Sequence, residues 1–201
     1  MSPRQLYFIR HGETDWNAER RLQGQLDIPL NDLGRRQSVR CGDILRGLFA
    51  AGGRTADDFA FMSSPLLRAR ATMEIVRAGL GLVPQDYATD ARLAEMSFGR
   101  WEGLTYQEIT ALDRAVLANR ERDKWNFRPP DGESYAQLLV RVREWHTGVA
   151  ATGNVIVAAH GGVARVLMVL FGVRGPEDAT QGDVVQGVVY GFGQGAMERY
   201  G

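Results

Sequence analysis

Two histidines stand at the ends of short apolar runs. Leu6, Tyr7, Phe8 and Ile9 lead into Arg10, His11 and Gly12, and Val155 to Ala159 lead into His160, Gly161 and Gly162. Aromatic and β-branched runs of this length read as buried strands. Each therefore delivers an imidazole to its carboxyl end, the edge at which open α/β sheets bind ligands. One strand-end histidine is consistent with a nucleophile, a metal ligand or a satisfied core side chain. Two, on parallel strands, would meet at one edge. A third run, Phe59 to Met62, leads into SSPLLRARAT, where Ser64 and Pro65 have the form of an N-cap followed by proline at the first helical position. Arg68 and Arg70 fall in the first turns of that helix. Two histidines with at least two arginines suit a phosphate. Guanidinium forks pair with its oxygens, while a neutral imidazole can attack phosphorus and form a covalent intermediate.

Further segments extend the pattern. Arg10 to Gly12 is followed by Thr14 and Asn17, then by RLQGQLDIPLNDLG from Arg21 to Gly34, by SSPLLRARAT, by LAEMSFGRWEG from Leu93 to Gly103, and by AAHGG ending at Gly162. In these motifs and their order, over nearly its whole length, the chain resembles the histidine phosphatase superfamily, whose fold is shared with cofactor-dependent phosphoglycerate mutases. The resemblance implies a three-layer α/β/α fold with a mostly parallel central sheet, and a single histidine phosphatase domain over residues 1–201. It implies a metal-independent phosphomonoesterase that needs no cofactor and acts on a small-molecule phosphate ester. His11 would be the nucleophile, and Glu95 the general acid that later takes a proton from water. Arg10, Arg68, Asn17 and a protonated His160 would hold the phosphoryl oxygens. Gln23 and Gly24 match positions that approach the substrate, and Gly161 permits close backbone approach. Arg68 and Arg70, two apart on a helix, do not share a face. The family pattern, with arginine four residues before Thr72, selects Arg68 and leaves Arg70 at the surface.

Mutases of this group carry a longer insertion between the glutamate segment and the stretch matching Gly132 to Ser134. Its shortness here implies hydrolysis. The alternatives are a phosphomutase, a phosphoprotein phosphatase and a non-catalytic phosphate-binding module. Against the last, Arg10, His11, Arg68, Glu95 and His160 each carry the residue the chemistry needs. His11, His160 and Glu95 also have the make-up of a two-histidine, one-carboxylate metal site, but two nearby arginines would repel a divalent cation.

Bulk properties bound the remaining possibilities. The 201 residues suit one domain, and 44% hydrophobic residues supply a core. Lys plus Arg and Asp plus Glu are 24 each, which argues against a nucleic-acid binder relying on a basic surface. Cys41 is the one cysteine, so no intramolecular disulfide framework forms, and a reducing cytoplasm fits. MSPRQ runs into the first strand without the apolar stretch of a signal peptide, and no run approaches the length of a membrane helix.

The elements that would position these residues follow in order. A helix opens at Asn31 or Asp32, with Leu33, Cys41, Ile44, Leu45, Leu48 and Phe49 on its apolar face. A helix follows from Pro65 to about Ala78, and an extended segment from Tyr87 to Leu93. Capping boxes at Thr105 with Glu108 and at Ser134 with Gln137 open two more helices. His146 reads as ordinary surface, and Arg20 and Arg21 as solvated or pocket-lining in equal measure. A helix from about Gly162 to Phe171 would offer its free amino end to an anion. The tail from Asp183 reads as a marginal strand or hairpin without chemistry.

Overall fold

Period-two alternation decides the architecture. In β1 (Leu6–Arg10) and β4 (Asn154–Ala159), Leu6, Phe8, Val155, Val157 and Ala159 belong to one buried cluster. Tyr7, Ile9, Ile156 and Ala158 belong to another. Strands buried on both faces require a helical layer on each. The computed structural model, which describes residues 5–149 and 153–201, supplies both layers. The extreme amino terminus, read above as running straight into the first strand, lies outside the described residues at positions 1–4.

One layer is α2 (Asp32–Ala51) and α3 (Leu67–Gly79), which set Cys41, Leu45, Phe49, Met73 and Val76 against the second cluster. The other is α5 (Tyr135–Val149) and α6 (Gly161–Leu170), which set Leu138, Val142, Trp145, Val163 and Leu167 against the first. The remaining elements are α1 (Asp15–Ala18), β2 (Phe59–Ser63), β3 (Ala88–Thr89), α4 (Tyr106–Arg122), α7 (Pro176–Ala179), β5 (Val189–Gly193) and β6 (Ala196–Tyr200). The sheet order is β3-β2-β4-β1-β5-β6. The first four strands are mutually parallel, β5 runs antiparallel to β1, and β6 antiparallel to β5. This is the three-layer, mostly parallel α/β fold expected from the sequence.

Register brings the chemistry together. Arg10 pairs with Ala159, and Ser63 with Ala158. His11, His160 and Ser64 therefore leave three adjacent strands at one level. The loop after β1 then crosses the first turn of α2 so closely that a Cβ at Gly12 would lie 2.2 Å from the Gly34 carbonyl oxygen.

Local expectations hold where the signal is local. Asn31 caps α2, accepting from Gly34 N–H at 2.9 Å. The Thr105–Glu108 box opens α4, which kinks at Asp113, and Ser134 and Gln137 exchange hydrogen bonds at the start of α5. Leu33 is exposed rather than on the buried face of α2. Only Ala88 and Thr89 of the Tyr87–Leu93 segment form a strand, and Ala91–Leu93 turns into a 3-10 helix. The helix expected from Pro65 starts later, at Leu67, and the Ser64 hydroxyl both accepts from Leu66 N–H at 3.3 Å and lies 2.7 Å from His160 Nε2.

Candidate active site

His11 leaves β1 almost fully buried. Its Nδ1 lies 2.7 Å from its neighbour's carbonyl oxygen, at Gly12. A carbonyl only accepts, so Nδ1 carries the hydrogen and Nε2 the lone pair. Arg68 Nε donates to that lone pair at 3.3 Å. Burial, then the Arg68 and Arg10 guanidiniums, push the His11 pKa well below the ordinary value. The result is a neutral imidazole in one defined tautomer. Thr72, one turn after Arg68, joins the two elements: it accepts from Gly12 N–H at 3.0 Å and donates to the Arg68 carbonyl at 2.8 Å.

Arg68 donates to the carbonyls of Leu26 and Gly24, both at 2.7 Å, and so pulls the loop after β1 into the site. Arg10 donates through Nη1 to Val184 O at 2.6 Å, while its Nε is buried without a partner among the described residues. Burial lowers the pKa of both arginines, and the nearby Glu95 carboxylate opposes that shift. Glu95 Oε1 accepts from Met96 N–H at 2.9 Å and from Gly162 N–H at 3.1 Å. The amino end of α6, expected to be free for a substrate anion, therefore already holds a carboxylate. A Cβ at position 162 would lie 2.3 Å from Glu95 Oε1, so any larger residue there displaces the carboxylate.

His160 is fully buried, with its ring centroid 5.2 Å from that of His11. Burial first, then Arg68, His11 and Arg10, push its pKa well below the ordinary value. It is therefore neutral, which corrects the expectation of a protonated ring. An imidazolium desolvated beside two guanidiniums has nothing to compensate it.

These groups surround a cavity of about 270 Å³. Of the nine residues singled out in the sequence, Arg10, His11, Asn17, Gln23, Gly24, Arg68, Glu95 and Gly161 line it. His160 stands behind the wall beside His11. The buried guanidiniums supply positive charge, His11 a lone pair, and Glu95 an ionisable carboxyl. That combination can bind a phosphoryl group and exchange it between oxygen and nitrogen.

Comparison with known proteins decides the family, because the model of the histidine phosphatase superfamily (branch 1) matches residues 6–188. The chain belongs to the histidine phosphatase superfamily. It is 36% identical to glucosyl-3-phosphoglycerate phosphatase of Mycobacterium tuberculosis over 179 residues, which cover 83% of this chain and 74% of that protein. It is 34% identical to phosphoglycerate mutase-like protein 4 of Arabidopsis thaliana, over 81% of this chain and 69% of that one. Among solved structures it is similar to the mycobacterial glucosyl-3-phosphoglycerate phosphatase, with TM-score 0.78 and 29% identity over 94% of this chain and 89% of that one. The fold is shared with a putative α-ribazole-5'-P phosphatase from Escherichia coli, with TM-score 0.80 and 23% identity over 98% and 95% of the two chains.

In this histidine phosphatase the sequence reading missed several wall residues. Arg165 lies four residues after Gly161 on α6, on the same face, and that spacing was the one signal pointing to it. Its guanidinium donates to the carbonyls of Ala179, Gln181 and Gly182. Arg21, which the sequence left open between solvent and pocket, reaches the cavity while paired with Glu19 and Glu108. The tail carries more than an edge hairpin. Gln186 Nε2 donates to His11 O at 3.0 Å and to Asn17 Oδ1 at 3.1 Å, and no periodicity announces it. His146 is half-buried edge-on to Phe171, in a larger apolar cavity of about 700 Å³ that includes Leu6 and Val155, at the opposite edge of the sheet.

Proposed function

We propose that this protein hydrolyses a small-molecule phosphate monoester through a phosphohistidine on His11. The general class, a phosphoric monoester hydrolase, follows from the superfamily and from relatives named as phosphatases. The observation that carries the covalent step is the geometry of His11, whose Nδ1 lies 2.7 Å from Gly12 O and whose Nε2 faces Arg68 Nε at 3.3 Å. Among the described residues its Nε2 lone pair meets only the Arg68 N–H, and its tautomer is held by Gly12 O.

In this reading Arg10 and Arg68 bind the phosphoryl oxygens together with Asn17. The His11 Nε2 lone pair attacks phosphorus in line, the bond from phosphorus to the ester oxygen breaks, and Glu95, having taken up a proton as the ester binds, gives it to that oxygen. Water then attacks the phosphohistidine, Glu95 takes its proton, and inorganic phosphate leaves with His11 neutral again. The catalytic residues are thus His11, Glu95, Arg10 and Arg68, with His160 acting on the phosphoryl group as a neutral donor. Gln23, Gly24 and Gly161 contact the substrate. Phe98, Met96 and Tyr135 line the cavity and give it room for an organic leaving group.

Among the described residues no helix is long and apolar enough to cross a membrane. A single buried cysteine suits a reducing compartment, and we assign the protein to the cytoplasm. The relative named phosphoglycerate mutase-like keeps phosphomutase as the second reading. The deciding experiment measures phosphate release from p-nitrophenyl phosphate and a panel of metabolite monoesters, in excess EDTA, for wild type and His11→Ala. Turnover in EDTA that disappears in the variant supports the reading. Release that survives His11→Ala overturns it, and turnover that appears only with a bisphosphate primer transfers the assignment to the mutase.

A further inference from the structure

The Ser64 hydroxyl and His160 form a closed pair. Both residues are fully buried, and Ser64 Oγ lies 2.7 Å from His160 Nε2. Oγ also accepts from Leu66 N–H at 3.3 Å, and the Ser64 N–H donates to Ala158 O at 3.0 Å, which fixes the serine against β4. His160 Nδ1 is buried with no partner among the described residues.

A hydroxyl has one hydrogen to give, and the acceptor in reach is His160 Nε2. If Ser64 donates there, Nδ1 carries the ring hydrogen, and one buried N–H waits for an acceptor. If instead Nε2–H donates to Ser64, the hydroxyl hydrogen and the Nδ1 lone pair are both left buried and unpaired. Two orphans cost more than one, since each unmade buried hydrogen bond is penalised separately. Protonating both nitrogens would place a third cation beside Arg10 and Arg68.

We propose that Ser64 is a positioning residue that fixes His160 as the Nδ1–H tautomer, so that a neutral ring beside His11 presents a hydrogen-bond donor to a phosphoryl oxygen. The role rests on the phosphate-transfer reading of this site, but the tautomer itself does not.

The test is a long-range nitrogen–proton spectrum of the unliganded, 15N-histidine-labelled protein at neutral pH, with titration of inorganic phosphate. The chain has three histidines, and loss of one spin system each in His146→Gln and His11→Ala assigns the third to His160. The expected result is a protonated-type Nδ1 and a bare-type Nε2 for His160 in wild type and in Ser64→Thr. Ser64→Ala should show a mixed or reversed pattern and bind inorganic phosphate about 5- to 10-fold more weakly, the size of one hydrogen bond. A wild-type His160 protonated at Nε2 overturns the proposal without any variant having to fold. So does a folded Ser64→Ala with unchanged tautomer and phosphate affinity. If phosphate binds and the tautomer is as stated but no ester is turned over, the functional reading fails and this one stands.

Discussion

Gly162→Ala separates the role of Glu95 from the stability of the fold. The added Cβ would lie 2.3 Å from Glu95 Oε1, against about 3.4 Å for ordinary packing, so the carboxylate must retreat by roughly 1 Å. Leu138 Cδ2, at 3.2 Å, gives by a few tenths of an ångström. Alanine near the start of α6 returns up to about 1 kcal/mol of helix propensity. That offsets much of the charge-assisted hydrogen bond broken between Gly162 N–H and Glu95, worth about 1.5–3 kcal/mol before the freed carboxylate rehydrates. Net stability in urea should therefore change by about 1 kcal/mol or less. Chemistry is less forgiving, since a 1 Å misplacement of a catalytic group costs up to about 100-fold. The drop in rate should depend on the leaving group. An alkyl ester, whose alkoxide needs the proton, should slow about 100-fold in the first turnover, while p-nitrophenyl phosphate keeps a near-normal burst of p-nitrophenol before a slowed steady state. Equal slowing of both esters in the first turnover, in a protein of normal stability, would refute Glu95 as the acid.

Other consequences follow from the same geometry. His11 and His160 both have pKa values held well below normal by burial and the arginines. The unfolded chain therefore takes up protons first, and stability is full above about pH 6.5 and is lost as pH falls toward the folded values. Between pH 7.0 and 5.5 the two rings together should cost up to about 2.5 kcal/mol in urea denaturation, and a flat profile would contradict their burial as neutral groups. Gln186→Leu removes the donor to His11 O and Asn17 Oδ1. It should lower kcat/KM about 10-fold while thermal denaturation shows a folded protein, and unchanged kinetics would return the tail to a purely structural role. Gly34→Ala puts a Cβ 2.1 Å from the Glu13 carbonyl, backbone against backbone. A destabilisation of about 3 kcal/mol is expected by calorimetry, because neither side can move cheaply.

How much of this was legible in the sequence depended on whether a signal was local. The alternation in β1 and β4 and the capping pairs Asn31–Gly34, Thr105–Glu108 and Ser134–Gln137 concern neighbours, and their elements stand where the pattern places them. Ser64 carries an equally good local signal, yet its hydroxyl lies against a histidine 96 residues away. Its oxygen still accepts from Leu66 N–H, as the local signal implies, but the partner of its hydrogen is set by the fold and not by its neighbours. The tail fails for a related reason. Val184 and Gln186 reach Arg10 and His11 across 174 and 175 residues, in a segment whose own pattern describes only a loop before a hairpin. The charge of His160 was misjudged because residue type shows which groups meet, whereas desolvation depends on how completely they are enclosed.

The polar groups left unmade bear on what the site could receive. Among the described residues, the buried side-chain atoms without a partner are Arg10 Nε, Gln23 Oε1, His160 Nδ1 and Trp145 Nε1. The first three belong to the site, while Trp145 lies in the core beneath α5. Each costs about 1–3 kcal/mol while unpaired, and a fold with no use for them would have closed over them. Phosphate oxygens would accept from Arg10 Nε and His160 Nδ1, and the Gln23 amide would offer its nitrogen after a half-turn about its last bond. Inorganic phosphate should therefore stabilise the folded chain beyond ordinary salt effects. At 100 times its Kd the gain is about 2.7 kcal/mol, which for a chain of this size raises Tm by roughly 5–10 °C. The comparison is thermal denaturation in phosphate against chloride at equal ionic strength, with His11→Ala included because binding does not require the nucleophile. A Tm that rises no more in phosphate than in chloride would mean that these groups are not a phosphate site, whatever the family resemblance.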